Sequence, residues 1–411
     1  MFIVSHPTGN AFSAAVVNAL YEDELLLAFY TCVVWRPESA LAKFIPRGVR
    51  SALERRSRID LPADFVRTRP FRELVRNLCI RIGKRGLIAG ESNPFSIDGV
   101  YRDLDTYVAR DLRKYPGVRA VYAYEDGALH QFRHARKSGI HCIYDLPIGY
   151  WRANQKISIE EAELQPAWKG TLNALADSPE KLERKDEEIA LADTILVASN
   201  FTRSTLELFP GERKKTIIIP YGAPSPITTR REATSNTDPL RVLYVGSLTQ
   251  RKGISYLFKA VEALGKAASL TVVGRKVGNC KALDDACSTH RWIESLHHTE
   301  ILALMRQHDV FVFPSLFEGF GLVIGEAISQ GLPVITTPNT GGPDILRDGI
   351  DGFIVPIRDP EAITARLLQL HQDRALLQQM SDSARERAGQ LDWQGYRNGI
   401  RAAVREALGM I

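Results

Sequence analysis

Residues 311–338 read FVFPSLFEGFGLVIGEAISQGLPVITTP. The opening run is apolar and strand-like, Pro314-Ser315 stops it, and a glycine-rich turn leads into a second regular segment. Glu318 and Glu326 stand eight positions apart and are the only charged residues in the stretch. A carboxylate buried without a partner is costly, so the pair needs a reason. Glu318 falls in the loop past the strand's C-terminal end, and Glu326 falls in the helix that follows. Eight residues at helical rise cover at most ~12 Å, so both acids can address one extended ligand. Carboxylates accept hydrogen bonds from hydroxyl pairs such as those of a sugar or a ribose. Gly319, Gly321 and Gly325 let backbone come close to that ligand, and amides at the helix start favour an anion.

Working outward, the same strand-to-helix alternation runs through the chain. FIVSH, LLLAFYT, RAVYAYED, HCIYDLP, DTILVASNFT and TIIIP read as strands or strand-loop units in the first half, with helices between them. One long helical region is expected from about 159 to 192. After residues 223–239, APSPITTRREATSNTDP, the alternation restarts with RVLYVGS, SLTVVG, DVFVFPS, LPVITTP and GFIVP. Val/Ile-rich strands alternating with helices predict parallel sheets covered on both faces. A length of 411 residues suggests two domains rather than one core. The expected division is 1–222, a linker at 223–239, 240–385, and a C-terminal helix in 386–411 that returns to the first domain. Residues 360–410 read as a long amphipathic helical region. In open parallel sheets ligands bind beyond the C-terminal strand ends, so two such units imply a cleft.

A second element, GSLTQRKG at residues 246–253, lies between a strand and a helix. Arg251 and Lys252 at a helix start suit a diphosphate. Preorganised cations stabilise charge developing on a leaving phosphate without a metal.

These segments resemble the retaining glycosyltransferases of family 4. FPSLFEGFGLVIGEA carries that family's E-x7-E signature, and the likeness extends to TTPNTGGPDIL, DGIDGFIVP, GSLTQRKG and EIALADTILVASNFT. The resemblance covers nearly all of the second half and, more weakly, the first. It implies the α/β GT-B fold, two Rossmann-like domains facing each other across a cleft. It also implies transfer of a hexose-type sugar, with retention, from a nucleoside-diphosphate sugar to a hydroxyl of a glycan or lipid-linked acceptor in surface polysaccharide or glycoconjugate assembly. By resemblance, Glu326 holds the donor ribose and Glu318 contacts the transferred sugar, helped by backbone at Phe320, Gly321 and Leu322. Arg251 and Lys252 bind the diphosphate beside Gly246 and Ser247. Ser247 stands where relatives often carry an arginine, and Arg251 is the substitute expected. The loop carrying Gly9 and Asn10 approaches the diphosphate or the acceptor, and His6 beside it reads as structural. Tyr144-Asp145 stands where many relatives have a His-Asp pair on the donor sugar. Glu125 and Asp126 end another strand facing the cleft, where an acceptor-binding or helix-capping role is open. No resident cofactor and no metal is expected. The rival readings on this fold are a sugar-nucleotide epimerase and a non-catalytic sugar-nucleotide-binding subunit.

Composition narrows the rest. With 45% hydrophobic and 25% charged residues, the chain reads as an ordinary globular protein. Its five cysteines are scattered without a C-x-x-C, indicating neither a disulfide framework nor a zinc site and fitting a reducing cytoplasm. Neither a signal peptide nor an apolar run of the ~20 residues that span a bilayer is visible. Asp103-Leu104-Asp105 has the D-x-D spacing of metal-dependent transferases, but nothing else fits that fold. No dinucleotide fingerprint, P-loop or nucleic-acid module is found. The net charge of +5 is unevenly placed: residues 46–86 hold twelve Lys/Arg against four acids. Within them FRELVRNLCIRIGKR sets Leu74, Leu78 and Ile82 on one helical stripe. Two readings stand, a solvated helix whose stripe faces the core and a basic amphipathic helix on an anionic bilayer surface.

Overall fold

The computed structural model describes residues 1–34, 61–172, 176–228 and 237–410. The parts of the basic segment at 46–60 and of the linker at 229–236 lie outside the described residues. The fold is α/β, with two parallel sheets. The first joins β1 (Phe2–Ser5), β2 (Leu26–Thr31), β3 (Val66–Thr68), β4 (Ala120–Tyr124), β5 (His141–Leu146), β6 (Thr194–Val197) and β7 (Lys215–Ile218). Its order is β3-β2-β1-β4-β5-β6-β7. The second joins β8 (Leu240–Val245), β9 (Ala268–Val273), β10 (Arg291–Ile293), β11 (Val310–Phe313), β12 (Val334–Thr336) and β13 (Gly352–Ile354), ordered β10-β9-β8-β11-β12-β13. Central strands such as β1, β4 and β11 are buried along their whole length, as strands covered on both faces must be. β3 and β10, three residues each at sheet edges, are too short to show a period in the sequence.

The strand order reverses between β1 and β4 in the first sheet and between β8 and β11 in the second. Those switch points are where an open α/β sheet leaves a crevice at its carboxyl end. The loop after β1 carries Gly9 and Asn10, the loop after β8 carries residues 246–253, and the loop after β11 carries Glu318.

The helical segments are shorter than the sequence pattern predicts. The region expected as one helix over 159–192 is two helices, Trp151–Leu164 and Pro179–Leu191, with a 3₁₀ turn at Pro166–Thr171. Pro166 removes a backbone donor, and Ser178 caps the second helix through its side chain, with Pro179 in the first turn. The stretch 360–410 is three helices, Pro360–Gln372, Arg374–Ala388 and Trp393–Ala407, with Asp359, Asp373 and Asp392 as side-chain N-caps. The expected boundary at 385/386 falls inside the second of these, so the chain leaves the second domain only after Ala388. Helix Trp393–Ala407 then lies on helix Ala11–Glu22 of the first domain, tied by Arg401 and Arg405 to Asp23 at 3.0 and 2.7 Å.

Traffic runs the other way as well. Helix Trp151–Leu164 and the turn after it, from the first half of the chain, pack on the second domain. Trp168 stacks on Phe258 at 6.0 Å between ring centres. Thr171 accepts from the Gln250 amide at 2.8 Å, and the Thr249 hydroxyl donates to the Thr171 carbonyl at 2.6 Å. Glu161 is fully buried at this seam and accepts from Gln250 Nε2 (2.7 Å), Tyr256 Oη (2.8 Å) and Arg358 Nε (2.8 Å).

Candidate active site

The loop after β11 is built to bring backbone close to its surroundings. Gly321 has φ +83° and ends the turn at the start of helix Leu322–Ser329. A Cβ on Gly319 would lie 1.9 Å from the Pro147 carbonyl oxygen of the first domain, so only glycine permits that approach. The Gly319 carbonyl accepts from Ser199 Oγ (2.5 Å) and Thr202 Oγ1 (2.9 Å), which ties the same loop to the first domain from another side.

Glu318 points at the turn after β8. Its Oε2 forms an ion pair with Lys252 Nζ and lies 4.0 Å from Arg251 Nη1, while Oε1 accepts from the Gly319 amide at 3.1 Å. Arg251 also donates to the Phe317 carbonyl at 2.7 Å, and its own carbonyl accepts from the Leu316 amide at 2.9 Å, locking the two loops together. Lys252 Nζ stands 5.0 Å from the centre of the Phe313 ring. Loss of solvent, together with repulsion from Arg251, pushes the Lys252 ammonium well below its usual range, and burial also lowers Arg251. A buried lysine and a partly buried arginine therefore share one carboxylate, an arrangement that gains from a further anion. Gly253, with φ +67°, ends the turn against the Pro314 carbonyl. Gly246 (φ +155°) and Ser247 lie at its start, where the Ser247 carbonyl accepts from Tyr244 Oη at 2.9 Å.

Glu326, the fifth residue of helix Leu322–Ser329, is held by His298 Nε2 at 3.0 Å. The histidine comes from the start of the neighbouring helix His298–Arg306, 28 positions earlier, and no local pattern marks it. Phe320 reaches the first domain through Tyr221 (5.3 Å between ring centres), which stacks on Phe12 at 4.9 Å. That chain of rings links the loop after β11 to the first turn of helix Ala11–Glu22.

In that loop Gly9 has φ +56°, and Asn10 caps helix Ala11–Glu22 through a reciprocal box with Ser13. His6 organises it: Nδ1 accepts from the Thr8 and Gly9 amides at 3.3 and 3.0 Å, and Nε2 lies 3.2 Å from Asn10 Nδ2. Burial drives the His6 pKa down to about 3, which keeps Nδ1 free as an acceptor. His6 thus holds the loop in shape through both ring nitrogens.

The other first-domain candidates are engaged internally. Tyr144 is fully buried in β5 and donates to Glu188 Oε2 at 3.1 Å, so it does not line the cleft as the His-Asp analogy implies. Its phenol faces the helix Pro179–Leu191 because alternate residues of a strand address opposite faces of the sheet. Asp145, on the other face, accepts from Tyr122 Oη at 2.6 Å and is pushed up to about 7 by burial. Glu125 pairs with Lys185 at 3.1 Å, and Asp126, in a left-handed turn at φ +70°, pairs with Arg184 at 2.6 Å. Glu188, raised to about 8 by burial, accepts the amides of Asp126 and Ala128 at 2.9 and 3.1 Å.

Residues 227–387 match the family model described as glycosyl transferases group 1. Among curated proteins, the chain is 32% identical over 178 residues to the glycogen synthase of Mycobacterium tuberculosis (strain ATCC 25618 / H37Rv), covering 41% of this chain and 42% of that protein. It is 26% identical over 216 residues to a putative colanic acid biosynthesis glycosyltransferase, WcaL, of Salmonella typhimurium, covering 48% and 52%. The chain thus spans about half or less of the length of these relatives. Solved structures extend the likeness over the whole fold. Sucrose-phosphate synthase from Thermosynechococcus elongatus superposes with TM-score 0.69 at 16% identity over 100% of this chain and 99% of the other. Anabaena HepE in complex with UDP gives 0.63 at 14% over 98% and 99%. The architecture is the GT-B fold, two Rossmann-like domains. In the matched region the loop after β8 carries the cation pair, the loop after β11 carries Glu318, and the helix that follows carries Glu326.

Proposed function

We infer that this chain is a retaining glycosyltransferase of family 4 that moves a hexose-type sugar from a nucleoside-diphosphate sugar to a hydroxyl of a glycan or lipid-linked acceptor. The observation that carries the reading is the cation pair, buried Lys252 and partly buried Arg251, sharing Glu318 at the β8/β11 switch point of a region that matches the glycosyl transferases group 1 model. The diphosphate binds the cations, which stabilise the negative charge that develops as the glycosidic bond to phosphate breaks. Glu326, oriented by His298, accepts from the donor ribose. Glu318 accepts from hydroxyls of the transferred sugar, beside backbone at Phe320, Gly321 and Leu322. The acceptor oxygen attacks from the face that phosphate leaves, and its proton passes to the departing phosphate oxygen, so no side-chain base is required. Rate then comes from positioning and charge stabilisation. Closure of the two domains excludes water that would otherwise hydrolyse the donor.

The named relatives support a role in polysaccharide biosynthesis, and the UDP held by HepE makes a uridine donor the first to try. A thermal-shift screen of UDP-, GDP- and ADP-sugars, followed by incubation of the stabilising donor with glycan and lipid-linked acceptors, tests the reading. Nucleoside diphosphate released in step with elongated acceptor is the expected result. Isomerised donor without any acceptor would instead identify an epimerase, and donor binding without turnover across the acceptor series a binding subunit.

A further inference from the structure

Helix Phe71–Arg81 is turned inside out. Its one acid, Glu73, is buried and accepts from Arg76 Nε at 2.8 Å and Asn77 Nδ2 at 2.9 Å, and Cys79 is buried beside it. Phe71, Leu74 and Leu78 face outward at 68%, 48% and 57% exposure, and Ile82 and Leu87 continue the ridge at 55% and 59%. A surface helix ordinarily does the reverse, with its apolar stripe toward the core. The orientation is fixed rather than loose. Arg72 donates to the carbonyls of Pro94 and Gly99 at 3.3 and 3.2 Å and lies 3.3 Å from Asp103, which pins the helix to its neighbour Ile97–Asp111. Of the two readings open from sequence, the one with the stripe in the core is excluded by these exposures.

We propose that this ridge docks on an anionic lipid bilayer. Phe71, Leu74, Leu78, Ile82 and Leu87 enter the boundary between headgroups and acyl chains, and the exposed Lys84 and Arg85 meet lipid phosphates. Charge selects this occupant. Residues 71–87 contain five Lys/Arg and only the buried Glu73. A second copy seated symmetrically on the ridge would bring like charges together, whereas anionic headgroups complement them. Placement agrees. The helix begins just past the carboxyl end of the edge strand β3, the end of the sheet at which the loop after β1 also emerges. A bilayer seated there lies at the rim of the cleft. The proposal concerns binding and stands whether or not the transfer reaction is the one inferred above.

The test is co-sedimentation of the full chain with vesicles of phosphatidylcholine alone or mixed with phosphatidylglycerol. Binding to the anionic vesicles should exceed binding to the neutral ones roughly tenfold or more and fall with added salt. Leu74→Asp with Leu78→Asp should cut the partition roughly 100-fold, and Lys84→Ala with Arg85→Ala roughly 20-fold at low salt. All four residues are exposed, so both variants should keep the parent melting temperature. Absence of vesicle binding by the parent chain, or equal binding by both variants, overturns the proposal. So does a parent dimer that the leucine variant makes monomeric. A leucine variant that melts lower while the parent ignores vesicles also overturns it, since another part of the chain then covers the ridge.

Discussion

Two glutamates, Glu161 fully buried and Glu318 partly so, reach the same three-residue turn, Gln250–Lys252, and the protein treats them in opposite ways. Glu161 arrives from the first half of the chain and is saturated, with three donors of 2.7–2.8 Å on its two oxygens. Glu318 arrives from the loop after β11 and is shared between Lys252 and Arg251, one carboxylate for two cations in a site that desolvation makes unfavourable for positive charge. A carboxylate whose bonds close within the protein acts as a fastener. One set among surplus cations holds them ready for another anion. Burial alone therefore does not mark a working acid; the balance of charge around it does.

The largest effect should come from the fastener. Glu161→Ala leaves the Arg358 guanidinium, Gln250 and Tyr256 without their shared acceptor, and losing one partner of a buried pair costs roughly 3–5 kcal/mol. Urea unfolding should show that loss, and transfer by the folded fraction should change much less. If stability holds while turnover collapses, Glu161 belongs to the chemistry and the contrast fails.

Glu318→Ala should do the opposite. If Glu318 contacts the transferred sugar as proposed, its loss should lower turnover by roughly 100-fold, about 3 kcal/mol of transition-state stabilisation. Affinity for free nucleoside diphosphate, read by calorimetry, should not fall, because the variant removes a competitor for Lys252. A weaker diphosphate complex would mean that Glu318 organises the cations rather than the sugar, and near-parental turnover would remove it from catalysis.

The contrast also separates what the sequence made legible from what it hid. The loop after β11 could be read because its parts are local: an apolar strand, Pro314-Ser315 to end it, glycines to turn it, and two acids in uncharged surroundings. Arg251 and Lys252 were legible from their position between a strand and a helix. Glu161 was not, since its partners lie 89, 95 and 197 positions away and it sits in a stretch dense with other acids. His298 escaped for the same reason, as only the packing of two helices brings it to Glu326. Tyr144 misled because strand register, which decides the face a side chain addresses, depends on the neighbouring strands. The basic helix was half legible. Its period was plain, but which face the fold would bury could not be read from the period alone.

Asp145 gives the finest version of the comparison. It stands at the carboxyl end of β5 near the cleft, yet its one bond comes from Tyr122 and its surroundings are the rings of Tyr124, Tyr221 and Tyr396. Burial raises its folded pKa from 3.8 to about 7. The folded state then holds a proton that the unfolded chain has released, so this group's contribution is unpenalised below the unfolded pKa and declines as pH rises from about 4 towards 7. Glu188, raised to about 8, acts in the same direction. The melting temperature should therefore fall between pH 5 and pH 8, and Asp145→Asn, which keeps an acceptor for Tyr122 but cannot ionise, should flatten part of that decline. A few degrees of difference at pH 8 and almost none at pH 4 is the expected pattern. If the variant instead melts lower at every pH, the carboxyl contributes to the fold in its charged form. A melting profile unchanged by the substitution, together with a shifted pH optimum for transfer, would place Asp145 with Glu318 among the acids that face a ligand.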